Sequence, residues 1–294
     1  MDPNTMIRTW AFVSVLALMG GGCGHSVKVA SEVPDLSDRG DGVVAIATSH
    51  ENSATAVTLC SGALVAPNLV LTARHCVSKA ITTTPSCDAA GRSHNGAHFG
   101  SDADPSQISI YVGTSVKIDS DPPRAHAKRV FHPNGKILCD ADVAYIVLDR
   151  PIVSARVLPV RLHEPVHSGD IVQPVGFGGG ILNQIGERKP RRKSEILAVG
   201  PASNARTGAV IGPREFEVEA ATCRGDSGGP AIDARTGEIV GVISRGGSCI
   251  EKGNHVYTRV DAYKRLAYFS FLAAEQALFS EVAENTPAEP REEF

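Results

Sequence analysis

The sequence lacks a strong excess of either charge. Its 294 residues contain 29 lysines and arginines against 32 aspartates and glutamates, which gives a formal net charge of -3. A protein that binds nucleic acid through the phosphate backbone needs a basic surplus, so this composition argues against a nucleic-acid partner. The one basic run, residues 188–193, contains a proline and lies among loop residues, and we interpret it as a solvated loop.

The N-terminus also lacks an apolar run long enough to cross a bilayer. Residues 10–19 are mostly apolar, but a membrane-spanning helix needs about 20 such residues. Arg8 precedes this stretch, and three glycines and Cys23 follow it, an arrangement typical of an export signal. We therefore expect a signal peptide over residues 1–23. Small residues before a cysteine resemble a bacterial lipoprotein signal, so Cys23 is a candidate lipid anchor, and the protein is expected to be secreted or attached to the cell envelope.

The seven cysteines show no Cys-x-x-Cys spacing, and the sequence predicts no metal site and no cofactor. In an exported chain, cysteines are expected to pair as disulfides. Cys23 belongs to the signal, and the six others allow fifteen different pairings. The residues alone therefore leave the connectivity open.

A clear helical period is missing until Asp261. From Val43 onward, short β-type runs alternate with Ser, Gly, Pro and Asn, which is typical of an all-β sandwich or barrel. A linker near residues 151–159 divides these runs into two sets, which predicts two lobes. After Asp261, apolar residues at helical spacing predict a C-terminal helix docked on the second lobe. The predicted boundaries are a leader and activation segment at 24–42, a main domain at 43–280 with lobes at about 43–150 and 160–262, a helix at about 262–279, and a disordered acidic tail at 281–294.

The stretch Cys-Arg-Gly-Asp-Ser-Gly-Gly-Pro at 223–230 is built to present a hydroxyl group. Small and turn-forming residues surround Ser227, so the backbone can turn tightly and expose the side chain as a nucleophile requires. A glycine-rich surface loop has the same composition. Other segments of the sequence are therefore needed to distinguish a catalytic serine from an ordinary surface loop.

Two strand-like stretches can deliver the partners of a serine nucleophile. At 71–76 an apolar run carries His75 next to Cys76, and a disulfide there would hold the imidazole rigidly, as a general base requires. At 142–148 apolar residues on both faces predict a buried strand, so Asp142 at its head needs a hydrogen-bonding partner. Asp140 competes for this role, but Asp142 directly adjoins the strand and is preferred.

In the order His, Asp, Ser, these three stretches closely resemble the trypsin-like serine proteases of the chymotrypsin fold. Val-Gly-Phe-Gly at 175–178 and Val-Tyr-Thr-Arg-Val at 256–260 are similar to two further family segments, and the resemblance runs from Val43 to Ala274. It implies an all-β fold of two six-stranded antiparallel β-barrels with the active site between them and a C-terminal helix. It also implies a monomeric serine endopeptidase that cleaves protein or peptide substrates through an acyl-enzyme.

Carried over residue by residue, the resemblance implies that Ser227 is the nucleophile, His75 the general base and acid, and Asp142 the carboxylate that orients the imidazole. The backbone N–H groups of Gly225 and Ser227 would form the oxyanion hole. Ser244 resembles the family serine whose hydroxyl assists the buried aspartate. The implied disulfides are Cys60–Cys76, Cys87–Cys139 and Cys223–Cys249.

The resemblance also outlines a substrate pocket, lined by Ala221, Thr222, Ser244, Gly246 and His255. Ala221 stands where trypsin itself has an aspartate, so a preference for Lys or Arg at P1 is not expected. His255 stands where the family usually has a glycine. An imidazole there would either shorten the pocket or, together with Thr222, offer hydrogen bonds to a carboxylate. We expect small apolar or acidic P1 residues.

Asp226 raises the question of activation. A carboxylate buried behind the nucleophile must be paired, and in the family a newly cut N-terminal ammonium supplies that pair. The family's usual Ile-Val-Gly-Gly is absent, and an alignment without gaps places the new terminus at Val29, just after Lys28. The sequence therefore predicts a zymogen that an activating protease cleaves between these two residues. If Cys23 is lipidated, the same cut would release the enzyme from the membrane.

Two other functions stay open at this point. The spacing Gly225-x-Ser227-x-Gly229 also matches the nucleophile elbow of α/β-hydrolases. That fold requires an aspartate and then a histidine after the serine, with a helix after the elbow, whereas Pro230 and a hairpin pattern follow here. The second alternative is a catalytically silent, protease-like binding module.

Overall fold

The computed structural model describes residues 42–50, 57–81, 85–179, 186–219, 222–246 and 254–285. The remaining residues include several positions singled out by the sequence, namely the signal peptide with Cys23, the cleavage site at Lys28 and Val29, the pocket residue Ala221, Cys249, and residues 286–294 of the acidic tail. These predictions lie outside the described residues.

The first half of the chain forms a closed barrel. Its strands are rich in apolar residues, and all five residues of the last one, Ala144–Leu148, are buried, with alternate side chains directed into the barrel interior. In chain order the strands are β1 (Val43–Ser49), β2 (Val57–Ala66), β3 (Leu69–Thr72), β4 (Ser78–Ala80), β5 (Phe99–Asp102), β6 (Ile108–Tyr111), β7 (Ala125–Phe131) and β8 (Ala144–Leu148). The barrel runs β1-β2-β3-β8-β7-β6, and β4 with β5 forms a separate hairpin.

The second half of the chain forms another barrel, which also has six strands. In chain order the strands are β9 (Ile171–Gly176), β10 (Lys189–Pro190), β11 (Ser194–Val199), β12 (Ala202–Ser203), β13 (Val210–Ile211), β14 (Glu215–Val218), β15 (Pro230–Asp233), β16 (Ile239–Arg245) and β17 (His255–Arg259). The order β9-β11-β14-β17-β16-β15 closes because β15 also pairs with β9, while β10 extends β9 at its edge and β12 pairs with β13. Two six-stranded antiparallel barrels are therefore confirmed.

The C-terminal helix is present but packs on the other barrel from the one expected. After a 3-10 turn at Asp261–Tyr263, helix α1 spans Lys264–Asn285 and contacts β3 and β8 of the first barrel. Asn68 donates its amide to the Ala274 carbonyl at 2.8 Å, and the ring of Phe271 lies 6.4 Å from that of Tyr145. The apolar spacing of the helix indicated that one face would be buried, but spacing cannot specify which surface accepts that face.

Two disulfides tie the first half of the chain together. Cys60 is bonded to Cys76 and Cys87 to Cys139, the two pairings that the family resemblance implied. Cys223 is also disulfide-bonded. Disulfides of this kind are typical of proteins that fold in an oxidising compartment. Among the helices in the described ranges, none has the length and apolar content needed to span a membrane.

Candidate active site

Strand pairing brings His75 and Asp142 together. β3 and β8 are antiparallel neighbours, and Thr72 at the end of β3 pairs with Ala144 at the start of β8. The residues that follow β3 and those that precede β8 therefore meet at one end of the barrel. There the Nδ1 atom of His75 lies 2.7 Å from Oδ2 of Asp142, and the backbone N–H of His75 donates to Oδ1 at 2.9 Å.

The second barrel supplies two further contacts to Asp142. The hydroxyl of Ser244, on β16, donates to Oδ2 at 2.6 Å, and the hydroxyl of Thr258, on β17, donates to the Asp142 carbonyl at 2.9 Å. Asp142 is fully buried, whereas the His75 side chain retains 18% of its exposure. The imidazole thus rests on a fixed carboxylate and remains open toward the solvent.

Charge and burial act in opposite directions on this pair. Burial lowers the pKa of His75, but the charge and hydrogen bond of Asp142 outweigh burial and hold that pKa above its usual value. For Asp142, burial raises the pKa, but the contacts from His75 and Ser244 lower it below its usual range. Asp142 is consequently ionised at neutral pH.

The turn that carries His75 is anchored on three sides. Cys76 is joined to Cys60 on β2, and the guanidinium of Arg74 donates to the Pro133 carbonyl at 2.7 Å. The same guanidinium lies 4.3 Å from the ring centre of Phe99, a cation–π contact. The orientation of the imidazole is therefore fixed by covalent and polar contacts.

The loop of Ser227 packs against the first barrel close to His75. The Ser227 carbonyl accepts a hydrogen bond from the N–H of Ser61 at 2.8 Å and lies 3.6 Å from Sγ of Cys76. Gly228 has a φ of 81°, and a Cβ there would lie 2.1 Å from the Thr72 hydroxyl. Glycine is the residue that allows this close approach between the barrels. Ser227 itself is partly exposed.

Ser61 on β2 is a part of the site that the sequence did not single out. Its hydroxyl donates to the Gly225 carbonyl at 2.7 Å and accepts the N–H of Phe177 at 2.9 Å. One side chain of the first barrel thereby holds two loops of the second. The residue lies next to Cys60, but no local pattern connects a serine on β2 with a loop 164 residues later.

We expect the variant Ser61→Ala to lose about 1 to 3 kcal/mol of unfolding free energy, because the buried N–H of Phe177 loses its acceptor. Urea unfolding would measure this loss. Ser101→Ala, on the exposed edge of β5, is the matched control. Unchanged stability in Ser61→Ala would contradict the assigned contacts.

Asp226 lies in a closed slot beside Ser227 and is fully buried. Its Oδ1 accepts the N–H of Gly178 at 2.8 Å, and its Oδ2 accepts the N–H of Cys223 at 2.7 Å. The guanidinium of Arg191 lies 2.7 Å from Oδ1. Arg191 belongs to the basic run that the sequence analysis interpreted as a solvated loop, and for this residue that interpretation is wrong, because its side chain is only 16% exposed.

The predicted pocket residues are brought together in part. The hydroxyl of Thr222 lies 3.0 Å from Nδ1 of His255, and both residues are buried. A Cβ added to Gly246 would lie 2.4 Å from the same Nδ1, so the imidazole packs directly against this glycine. Ser244 faces Asp142, and Ala221 lies outside the described residues.

Asp140, the competitor of Asp142, has a different environment. Its side chain accepts the backbone N–H of Arg214, its backbone N–H donates to Glu215 at 2.9 Å, and its carbonyl accepts the hydroxyl of Tyr263. Burial raises the pKa of Asp140, and the nearby charge of Glu215 adds to the effect. The carboxylate beside His75 is therefore that of Asp142.

One cluster near the site has potential metal ligands. His75, Cys60 and Cys76 place ligand atoms within 4.8 Å of one another. The two sulfur atoms are joined in a disulfide, so they cannot act as thiolate ligands. This cluster does not provide the donor set of a zinc site.

Two closed antiparallel barrels, with a buried aspartate before the last strand of the first that accepts hydrogen bonds from two hydroxyls of the second, define the class of chymotrypsin-fold proteins. The sequence profile of the family Trypsin matches residues 38–267, and the chain therefore belongs to the trypsin family. It is accordingly a hydrolase of the protease class.

The chain is also similar to a solved structure. The crystal structure of the Rv3671c protease from M. tuberculosis, in its active form, is 20% identical in sequence and has a TM-score of 0.49, with 79% of this chain and 82% of that chain covered. A search of curated proteins found no significant match.

Proposed function

We propose that the protein is a serine endopeptidase that hydrolyses peptide bonds through an acyl-enzyme, with Ser227 as nucleophile, His75 as general base and acid, and Asp142 as the orienting carboxylate. The observation that carries this proposal is the double contact between Asp142 and His75. The carboxylate accepts the backbone N–H of His75 and also lies against the ring nitrogen Nδ1. The membership of the trypsin family supports the serine type of the chemistry.

The proposed steps follow from these contacts. Because Asp142 engages Nδ1, the other ring nitrogen, Nε2, is the one that takes the Ser227 proton as the oxygen attacks the substrate carbonyl. The resulting imidazolium is stabilised by the buried charge of Asp142. It then gives the proton to the leaving amine, and a water molecule hydrolyses the ester by the same proton transfers in reverse.

The proposed oxyanion hole consists of the N–H groups of Gly225 and Ser227. Gly225 has a φ of 97°, a conformation in which glycine is favoured, and its carbonyl is held by Ser61. Donors fixed in advance stabilise the tetrahedral intermediate without reorganisation, and each is worth about 100 to 1000-fold in turnover.

Labelling with a fluorophosphonate probe tests the enzyme against the binding module. We expect the folded protein to form a covalent adduct at Ser227 and to lose it in the variant Ser227→Ala, as read by intact mass. A folded protein that neither reacts with the probe nor cleaves peptides would instead favour the silent binding module.

We also propose that P1 is a small apolar or an acidic residue, not Lys or Arg. Support comes from the buried imidazole of His255, which packs against Gly246 and lies within hydrogen-bond distance of Thr222. In the variant His255→Gly we expect kcat/KM for larger apolar P1 residues to rise about 10 to 100-fold relative to alanine. A library of peptides that differ only at P1 would measure this ratio. Cleavage mainly after arginine by the wild type would contradict the proposal.

The localisation proposal is that the protein acts outside the cytoplasm as a monomer, secreted or anchored through a lipid on Cys23. The disulfides support an oxidising compartment. Mass spectrometry of the N-terminal peptide, from the medium and from the membrane fraction, would identify the lipid. It would also show whether the chain is cut between Lys28 and Val29, as the sequence predicts for a zymogen with an activating protease.

A further inference from the structure

We infer that Arg191 supplies, from within the folded chain, the cation that holds Asp226 and the adjoining Ser227 loop, so that catalytic competence does not depend on a cut after Lys28. This inference rests on the proposed function of Ser227. It assigns Arg191 the role of a positioning residue, because its contacts are with Asp226 and Gly178 and not with the reacting atoms.

The guanidinium is fitted into the slot of Asp226. Its Nη2 atom donates to Oδ1 of Asp226 at 2.7 Å and to the Gly178 carbonyl at 2.8 Å. The Arg191 backbone N–H donates to the Pro174 carbonyl on β9 at 2.7 Å. The Arg191 carbonyl in turn accepts the side-chain amide of Gln173 at 3.2 Å. Both the backbone and the charged end of Arg191 are therefore fixed relative to β9.

The walls of the slot fit closely around the carboxylate. A Cβ added to Gly176 would lie 2.5 Å from Oδ1 of Asp226, and one added to Gly178 would lie 2.7 Å from the same atom. A carboxylate enclosed in this way, and fully buried, is strongly destabilising unless a cation compensates it. Arg191 provides that compensation, and an ammonium group at Val29 would have to displace it.

Asp226 transmits this contact to the catalytic loop. Its backbone N–H donates to the Cys223 carbonyl at 3.0 Å, and its carbonyl accepts the N–H of Gly229 at 2.8 Å. Its carboxylate also accepts the N–H of Cys223. Because Asp226 stands between Gly225 and Ser227, a fixed carboxylate fixes the two peptide groups proposed for the oxyanion hole.

The neighbouring residue provides a matched control. Arg192 follows Arg191 directly, but its side chain is 71% exposed and lies 3.6 Å from Glu219. Both residues lie in the short segment between β10 and β11, where the side chain of Arg191 enters the slot and that of Arg192 faces solvent. If the loss of a positive charge in this segment were enough to lower activity, substitution of either arginine would lower it. If the contact with Asp226 is what matters, only substitution of Arg191 will lower activity.

The experiment uses the exported full chain and two readouts, fluorophosphonate labelling and kcat for a peptide substrate. The variant Lys28→Ala, with its intact N-terminal segment verified by mass, is expected to match the wild type in both. Arg191→Met is expected to lower kcat about 100-fold with a smaller change in KM, because it leaves the buried charge of Asp226 without a compensating cation. Arg191→Lys should recover part of this loss, and Arg192→Met should leave kcat unchanged.

Each outcome decides between the hypotheses. Activity that appears only after a cut between Lys28 and Val29, or full activity in Arg191→Met, would overturn the inference and leave the proposed protease intact. If the wild type labels in no form, the proposed function itself is wrong. Should Arg191→Met fail to fold, Lys28→Ala still tests the independence from cleavage. In that case the double variant Arg191→Met with Asp226→Asn, which removes both charges, is expected to fold. If it does not fold, the assigned ion pair between Arg191 and Asp226 is wrong.

Discussion

Replacing His75 by alanine is expected to lower kcat for peptide hydrolysis by about a million-fold, the loss known for removing a member of such a catalytic unit. Ser227 is too weak an acid to attack a carbonyl unaided, and the imidazole held by Asp142 at 2.7 Å is the base proposed to take its proton. The measurement is kcat on a chromogenic peptide of the preferred P1 type. Fluorophosphonate labelling of Ser227 should slow by a comparable factor, because the probe needs the same activated hydroxyl.

The control for this variant is another partly buried histidine. His126 lies on β7, where its Nδ1 faces the Ser109 hydroxyl at 3.3 Å, and His126→Ala should leave kcat within about twofold, because the residue lies outside the proposed active site. Circular dichroism would verify that both variants fold. If His75→Ala retained a hundredth of the wild-type rate, another group would have to be the base, and the proposed mechanism would be wrong.

The sequence predicted short buried strands beside His75 and Asp142 because the relevant information is local. Each residue adjoins a short apolar strand, β3 or β8, and an apolar run of this kind indicates a buried strand by itself. Pairing of Thr72 with Ala144 then brings the two residues together. The family resemblance implied the two six-stranded barrels and the meeting of the two residues, which periodicity does not contain.

The contacts that the sequence missed are those between distant parts of the chain. Ser61 and Gly225 are 164 residues apart, and Arg191 and Asp226 are 35 apart. An arginine in a basic run has the same composition whether it faces solvent or enters a buried slot, because its environment depends on which strand edge it meets. The docking of helix α1 on the first barrel is a similar case, since helical spacing identifies an apolar face but not its partner.

Replacing Asp142 by asparagine is expected to lower kcat by about 10,000-fold at neutral pH while the fold persists, the magnitude known for this type of triad. Asparagine has nearly the same shape and can turn its amide oxygen toward the hydroxyl of Ser244. The hydroxyl of Thr258 bonds the backbone carbonyl of residue 142, which the substitution leaves in place. What disappears is the negative charge that stabilises the imidazolium and selects the tautomer in which Nε2 can accept a proton.

The pH dependence separates the charge of Asp142 from its shape. His75 must be neutral to act as a base, so kcat/KM should fall as acidification protonates the imidazole. Because the pKa of His75 is raised, this fall should be centred at a pH above 6.5, the usual histidine pKa. Without the charge of Asp142, burial of the imidazole remains and lowers the pKa, so the acid limb of the residual activity should move to lower pH. Asp140→Asn, which alters a buried carboxylate two residues away, should leave the limb in place. An acid limb that does not move in Asp142→Asn would mean that another group controls the rate, and the His75–Asp142 contact would then be structural.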